Sequence, residues 1–88
     1  MIAVLGAGES GVGAALLAKQ KGYDVFVSDS GSVKDHFQNE LVLARLEWEQ
    51  GEHNEEKILS ANLLIKSPGI PETKLVAKAR AKGIEVLS

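Results

Sequence analysis

The segment that most restricts the fold lies at the start of the chain, where five apolar residues run directly into "GAGESGVG". Residues 1–5 contain no polar side chain, which is typical of a parallel strand covered on both faces. The following loop matches the pattern G-x-G-x-x-G. In a strand–loop–helix unit, Gly6 permits the tight turn, Gly8 lets a ligand approach the backbone, and Gly11 lets the helix pack closely. Amides at such a helix start favour phosphate, so we expect a phosphate-bearing ligand here.

The rest of the chain continues this alternation of strands and helices. Further strands are predicted at residues 24–28, around Trp48, at 62–67 and at 84–88. Helical spacing and capping residues predict helices over residues 10–22, 33–46, 54–61 and 72–83. Strands that alternate with helices are joined by right-handed crossovers into a parallel sheet. We therefore predict an α/β fold, a Rossmann-like doubly wound five-stranded parallel sheet with flanking helices.

Composition narrows the classes of function. The chain has 88 residues, a net charge of −2 and no cysteine. This charge provides no basic field for nucleic acid and no polybasic segment for a membrane. The lack of cysteine excludes a disulfide framework and thiolate metal sites. With neither a membrane-spanning run nor a signal-peptide pattern, a cytoplasmic location is expected. Since strands are predicted at both chain ends, we also expect a piece of a longer protein.

The acidic residue that ends the second predicted strand leaves two kinds of role open. Asp29 follows Gly11 by eighteen residues, where nicotinamide-binding domains place the acid that bonds the adenosine ribose. It can equally cap the following segment, as can the serines around it. Glu9 weakens the dinucleotide interpretation, because a carboxylate in the cradle repels a pyrophosphate unless it points outward. An NAD-binding domain of a dehydrogenase or regulator is therefore the alternative hypothesis.

A second loop, "KSPGIP" at residues 66–71, follows the fourth predicted strand. Ser67 offers a hydroxyl, Pro68 stiffens the turn, and Gly69 allows close backbone approach. In doubly wound sheets, ligands bind beyond the carboxyl ends of the strands, where the winding direction reverses. The segments "GAGESG", "SDS" and "SPGIP" are therefore expected to face a common crevice.

Taken together, these segments make the chain similar to the N-terminal domain of the Mur ligases. Within that family it most resembles the members that add D-glutamate to a UDP-linked peptidoglycan precursor, using ATP. The resemblance covers essentially the whole chain and rests on the glycine loop, the acidic end of strand two, "ANLLIKSPGI" and the final "GIEVLS". The sister ligases that add L-alanine tend to carry "SSAI" where this chain has "SPGI".

The resemblance implies a binding role without catalysis. The UDP moiety of UDP-N-acetylmuramoyl-L-alanine would be held by Gly8, Glu9, Ser10, Gly11, Val12, Asp29, Ser30, Ser67, Pro68 and Gly69. Within this set, Ser10 would lie near phosphate, Asp29 and Ser30 would bond the uracil edge, and the second loop would close over the nucleotide. Residues 1–88 would then form one UDP-substrate-binding domain of a longer ligase. ATP and Mg²⁺ would bind in its other domains, since no G-x-x-x-x-G-K-[ST] motif occurs here.

The remaining polar residues are assigned no chemistry. His36 and His53 are interpreted as solvated or locally bonded, and Trp48 as a packed strand residue. A solvated acidic face is predicted for Glu47, Glu49, Glu52, Glu55 and Glu56. For Lys66, contact with a phosphate and exposure to solvent both remain open. A third hypothesis is a scaffold for protein association, which would use an apolar face left where partner domains are absent.

Overall fold

The computed structural model describes all residues from 1 to 88, and it contains five strands that alternate with four helices. The strands are β1 (Ile2–Leu5), β2 (Val25–Asp29), β3 (Glu47–Gln50), β4 (Leu63–Lys66) and β5 (Glu85–Leu87). The helices are α1 (Glu9–Gln20), α2 (Asp35–Leu43), α3 (Glu55–Ile58) and α4 (Lys74–Ala81). The predicted order of elements is confirmed.

All strand pairs are parallel, and the sheet order is β3-β2-β1-β4-β5. The first strand of the sequence therefore lies at the centre of the sheet. The chain builds outward from it in one direction through β2 and β3, then returns to its other side for β4 and β5. This reversal puts the loops that follow β1 and β4 next to each other at the carboxyl edge. The predicted Rossmann-like α/β fold is confirmed.

The side chains of β1 alternate between two hydrophobic cores, one on each face of the sheet. Val4 packs into a cluster with Val12 of α1 and Leu41 of α2. Its neighbour Leu5 packs into a second cluster that includes Ile58 of α3 and Val76 of α4. Because both faces of β1 are covered, the strand needs apolar residues at every position, which explains the unbroken apolar run.

The limits of all four helices differ from those predicted. Helix α1 begins one residue earlier than residue 10, so Glu9 is its first residue. Helix α2 is shorter than residues 33–46. Val33 is buried but precedes the helix, while Lys34 has an extended backbone (φ −63°, ψ 146°) at the N-cap. Beyond its other end, Arg45 adopts a left-handed conformation with φ 58°.

Two local predictions about packing and capping are confirmed. Trp48 is half-buried against the core between the sheet, α1 and α2. The Asn54 side chain accepts a hydrogen bond of 3.1 Å from the Lys57 amide and so caps α3. None of the helices has the length and apolar character required to traverse a bilayer.

Candidate functional site

Each of the three glycines of the first loop is present for a different structural reason. Gly6 has φ +97°, and a Cβ there would lie 2.6 Å from Ile70 Cδ1 and 2.8 Å from Ser67 Oγ. At Gly11, a Cβ would lie 1.8 Å from the carbonyl oxygen of Gly6. Both positions therefore require glycine for the fold itself, because the first loop, the start of α1 and the second loop are in close contact.

Gly8 is different, because nothing in the protein restricts a side chain there. No atom lies within 4 Å of a Cβ built on it. Its backbone is extended, with φ −89° and ψ −164°, a conformation that other residues adopt. The fold therefore does not need a glycine at this exposed position. Because Gly8 has no side chain, the N-terminus of α1 is left uncovered.

The first amides of α1 are free to bind an anion. The Val12 amide is the first with a carbonyl partner, donating to Gly8 at 2.9 Å. The amides of Glu9, Ser10 and Gly11 have no acceptor in the protein, and Gly8 provides no side-chain cap. Unpaired amides and the positive end of the helix dipole favour a negatively charged ligand, and phosphate is the usual one at a glycine loop.

Asp29 ties the first loop to the end of β2. Its Oδ2 accepts a hydrogen bond of 2.8 Å from the Ala7 amide, and its Oδ1 accepts one of 2.8 Å from the Gly31 amide. The neighbouring Ser28 carbonyl accepts a bond of 2.8 Å from the Gly6 amide. Each carboxylate oxygen thus accepts one backbone amide and retains a further lone pair.

The second loop packs against the first one. The Ser67 amide donates to the Leu5 carbonyl at 3.1 Å, while the Ser67 hydroxyl oxygen is buried without a hydrogen-bond partner. Lys66 Nζ donates to the Ile70 carbonyl at 2.6 Å. The Lys66 ammonium group therefore holds the second loop in its turn, and its other two N–H donors make no hydrogen bond within the protein.

Most of the predicted site residues line one cavity at the carboxyl edge of the sheet, which we call the loop cavity. Its volume is about 340 Å³, and its lining includes Gly8, Glu9, Ser10, Asp29, Ser67, Pro68 and Gly69. Three predicted residues do not line it. Gly11 is buried beneath the loop, Val12 packs its side chain into the core, and Ser30 is exposed.

Comparison with known proteins shows the family to which this chain belongs. The family described as "Mur ligase MurD-like, N-terminal domain" matches residues 1–88. The chain belongs to this Mur ligase family. It is 60% identical over 88 residues to a protein of Cytophaga hutchinsonii named UDP-N-acetylmuramoylalanine–D-glutamate ligase. Proteins with the same name from Bacteroides thetaiotaomicron and Ligilactobacillus salivarius are 51% and 42% identical. Each match covers 99% of this chain, which spans only 19–20% of each relative's length.

A second cavity adjoins the loop cavity in this MurD-like domain, and we call it the Lys34 cavity. It has a volume of about 290 Å³ and shares Gly8, Glu9 and Asp29 with the loop cavity. Ser32, Lys34 and Phe37 form its outer part. A third cavity of about 500 Å³ continues from Glu9 and Phe37 between α1 and α2. The glycine loop therefore lies in a groove that is longer than the sequence motifs alone indicate.

Lys34 is a groove residue that was not predicted from the sequence. It is the only cationic residue lining the loop cavity or the Lys34 cavity, and it forms no ion pair. Glu9 and Asp29 line both cavities with negative charge. In the sequence, Lys34 is marked only by its position five residues after Asp29, and such a spacing is not a recognised motif. Elsewhere in the domain, no group of three or more His, Asp or Glu side chains is arranged to hold a metal ion.

Proposed function

We propose that this chain binds the UDP moiety of UDP-N-acetylmuramoyl-L-alanine. In this proposal, residues 1–88 are the N-terminal domain of a longer cytoplasmic ligase, which adds D-glutamate to that substrate in peptidoglycan biosynthesis. Membership of the family and the names of the relatives support the assignment. The observation that carries it is the groove at the carboxyl edge, where unpaired α1 amides and the uncovered Gly8 meet the second loop.

The proposed pose follows from the charges of the groove. The diphosphate lies at the start of α1, against the amides of Glu9, Ser10 and Gly11 and near the Ser10 hydroxyl. The positive charge of Lys34 offsets the repulsion between the diphosphate and the two carboxylates of the groove, Glu9 and Asp29. The uracil edge faces Asp29 and Ser30, and Ser67, Pro68 and Gly69 form the opposite wall.

This domain anchors and orients the substrate, and the chemistry takes place elsewhere. ATP and Mg²⁺ belong to the other domains in this proposal, where ATP supplies the free energy for amide-bond formation. The sequence of the present chain contains no phosphate-binding lysine motif, and no three His, Asp or Glu side chains are grouped to hold a metal ion. Holding the UDP end fixed would place the distant carboxyl group of the substrate for reaction.

The NAD-binding alternative loses support from the family of this chain. The matched family and the names of the relatives are those of Mur ligases. The Glu9 carboxylate beside the glycine loop adds a negative charge that a pyrophosphate would have to avoid. Isothermal titration of the chain with UDP-N-acetylmuramoyl-L-alanine, UDP and NAD tests the proposal. Binding of the first two without NAD is expected, whereas tighter binding of NAD would reverse the assignment.

Gly8→Ala is expected to weaken UDP binding with only a small loss of stability, about 1 kcal/mol or less, because alanine is a poorer N-cap than glycine. The fold accommodates the new methyl group, since no atom lies within 4 Å of it. The methyl group lies where the diphosphate approaches the backbone, so we expect about tenfold weaker binding, equivalent to about 1.4 kcal/mol. Thermal unfolding and titration with UDP measure the two effects separately. Unchanged affinity for UDP in Gly8→Ala would show that the diphosphate does not bind at this position.

Lys34→Gln is expected to weaken binding of UDP more than binding of uridine. The substitution keeps much of the side chain and removes the only positive charge that lines the two cavities. An exposed charge contact of this kind is worth about 0.5–1 kcal/mol, so a two- to fivefold loss for UDP is expected at low salt. Lys21→Gln is the matched control, because Lys21 is exposed at the opposite end of α1. Equal losses for UDP and uridine would contradict a diphosphate contact.

A further inference from the structure

A buried hydroxyl connects the second and third strands to the loop that follows them. Ser28 is fully buried, and its Oγ lies 2.6 Å from Glu49 Oε2 and 2.6 Å from His53 Nδ1. Glu49 Oε2 also accepts a hydrogen bond of 2.6 Å from the Asn54 amide. We call Ser28, Glu49 and His53 the Ser28 network. Glu49 therefore does not belong to the solvated acidic face predicted for it, and His53 is locally bonded.

The number of available protons determines the direction of these bonds. A serine hydroxyl has one hydrogen, and a carboxylate offers only acceptors. If Ser28 donated to His53, its oxygen would face the Glu49 oxygen at 2.6 Å with no hydrogen between them. The Ser28 hydrogen must therefore point to Glu49. His53 Nδ1 must then carry the hydrogen that Ser28 accepts, which leaves Nε2 as the unprotonated nitrogen of the neutral ring.

The Ser28 network also reaches the candidate binding groove through the backbone. The Ser28 carbonyl accepts the Gly6 amide at 2.8 Å. In the loop that holds His53, the Gly51 amide donates to the carbonyls of Asp29 and Gly31, both at 2.9 Å. The orientation of the His53 ring is thus coupled to the end of β2, to which the glycine loop is fastened.

We propose that His53 is a positioning residue, held as the Nδ1–H tautomer, that fixes the end of β2 and with it the glycine loop. The chain of bonds runs from His53 Nδ1–H to Ser28 Oγ and from the Ser28 hydroxyl to Glu49 Oε2. The tautomer follows from the geometry of the Ser28 network alone. The consequence for ligand affinity rests on the proposed function.

The tautomer can be measured directly by ¹⁵N NMR of the imidazole rings in the 88-residue chain. We expect His53 to show a protonated Nδ1 and a bare Nε2 when neutral. His36 serves as the internal reference, since it is exposed on α2 and its ring nitrogens make no hydrogen bond within the protein. It should show the Nε2–H form that free imidazole side chains prefer. An Nε2–H signature for His53 would overturn the assignment.

Two substitutions of His53 separate positioning from general packing. Asparagine places its side-chain NH₂ where Nδ1 was, whereas glutamine places its NH₂ where Nε2 was. His53→Asn is therefore expected to keep amide-exchange protection at Gly6 and Ala7 within about twofold of the unmodified chain. His53→Gln should lower that protection about tenfold, the equivalent of one lost hydrogen bond. Equal protection in the two variants would contradict the positioning role.

The affinity for UDP provides the last measurement. If the proposed function is correct, UDP affinity follows the exchange data. It is then preserved in His53→Asn and reduced in His53→Gln. If the unmodified chain binds no UDP but the tautomer and the exchange pattern are as expected, the positioning role stands and the proposed function fails. If UDP affinity falls equally in both variants, the link from His53 to the groove is wrong.

Discussion

Gly11→Ala is expected to destabilise the domain by about 3 kcal/mol or more, the upper end of the range for overpacking. The added methyl carbon would lie 1.8 Å from the carbonyl oxygen of Gly6 and 2.8 Å from its carbonyl carbon. Both are backbone atoms in a loop held by hydrogen bonds to β2, so no rotation of a side chain relieves the clash. For a domain of this size, the melting temperature should fall by roughly 12–24 °C.

Gly13→Ala is the matched control for this prediction. Gly13 lies two residues further along the same helix and is exposed, with no atom within 4 Å of the position that a methyl group on its Cα would take. Alanine should therefore stabilise α1 by about 0.5–1 kcal/mol through its higher helix propensity. Thermal and urea unfolding of both variants measures the difference. Similar stability changes in the two variants would show that the contact between α1 and the first loop is looser than these distances indicate.

Asp29→Asn is expected to have the second largest effect, on stability as well as on binding. The asparagine keeps one acceptor oxygen, while its NH₂ group must face either the Ala7 amide or the Gly31 amide, both of which are donors. A backbone donor left without an acceptor should cost about 1–3 kcal/mol. Asp24→Asn provides the comparison, since that exposed side chain makes no hydrogen bond. Urea unfolding of the two variants should separate them clearly.

Binding measurements distinguish the two roles of Asp29. If its remaining lone pairs read the uracil N3–H, the unmodified protein should prefer uridine over cytidine versions of the substrate. In the longer ligase that we propose for this chain, Asp29→Asn should then raise KM for the UDP substrate, with little change in KM for ATP and a smaller fall in kcat. If Asp29 only fastens the loop, stability falls but uridine and cytidine versions bind equally well. That outcome would show that Asp29 does not recognise the base and has only a structural role.

The order of elements could be predicted from the sequence because each signal is local. Unbroken apolar runs marked the strands covered on both faces, and the G-x-G-x-x-G pattern marked the first strand–helix turn. The position of Val33 was harder to predict. It is apolar at helical spacing from Phe37, yet it is buried in an extended segment before α2. Burial by tertiary contacts, and not helix periodicity, determines the conformation at that position.

The candidate site could be predicted only where its residues belong to motifs. The glycine loop, Asp29 and "SPGI" were predicted to face one crevice because the spacing of each carries a known physical task, and they line one cavity. Lys34 and the Ser28 network were missed since their roles depend on which chain segments meet in space. Ser28 and His53 are 25 residues apart, and their partnership requires β3 to pair beside β2. No pattern in a single sequence specifies such a contact.

The position of β1 at the centre of the sheet has a consequence for synthesis. Residues 1–50 contain three neighbouring strands and most of the groove, including the glycine loop and Asp29. The opposite wall, with Ser67, comes after β4, which leaves the ribosome later. During translation, the nascent chain therefore holds β1 with one edge unpaired and the groove with one side open. The arrival of β4 pairs the free edge of β1 and brings the second wall of the groove, so the centre of the sheet and the groove are completed in the same step.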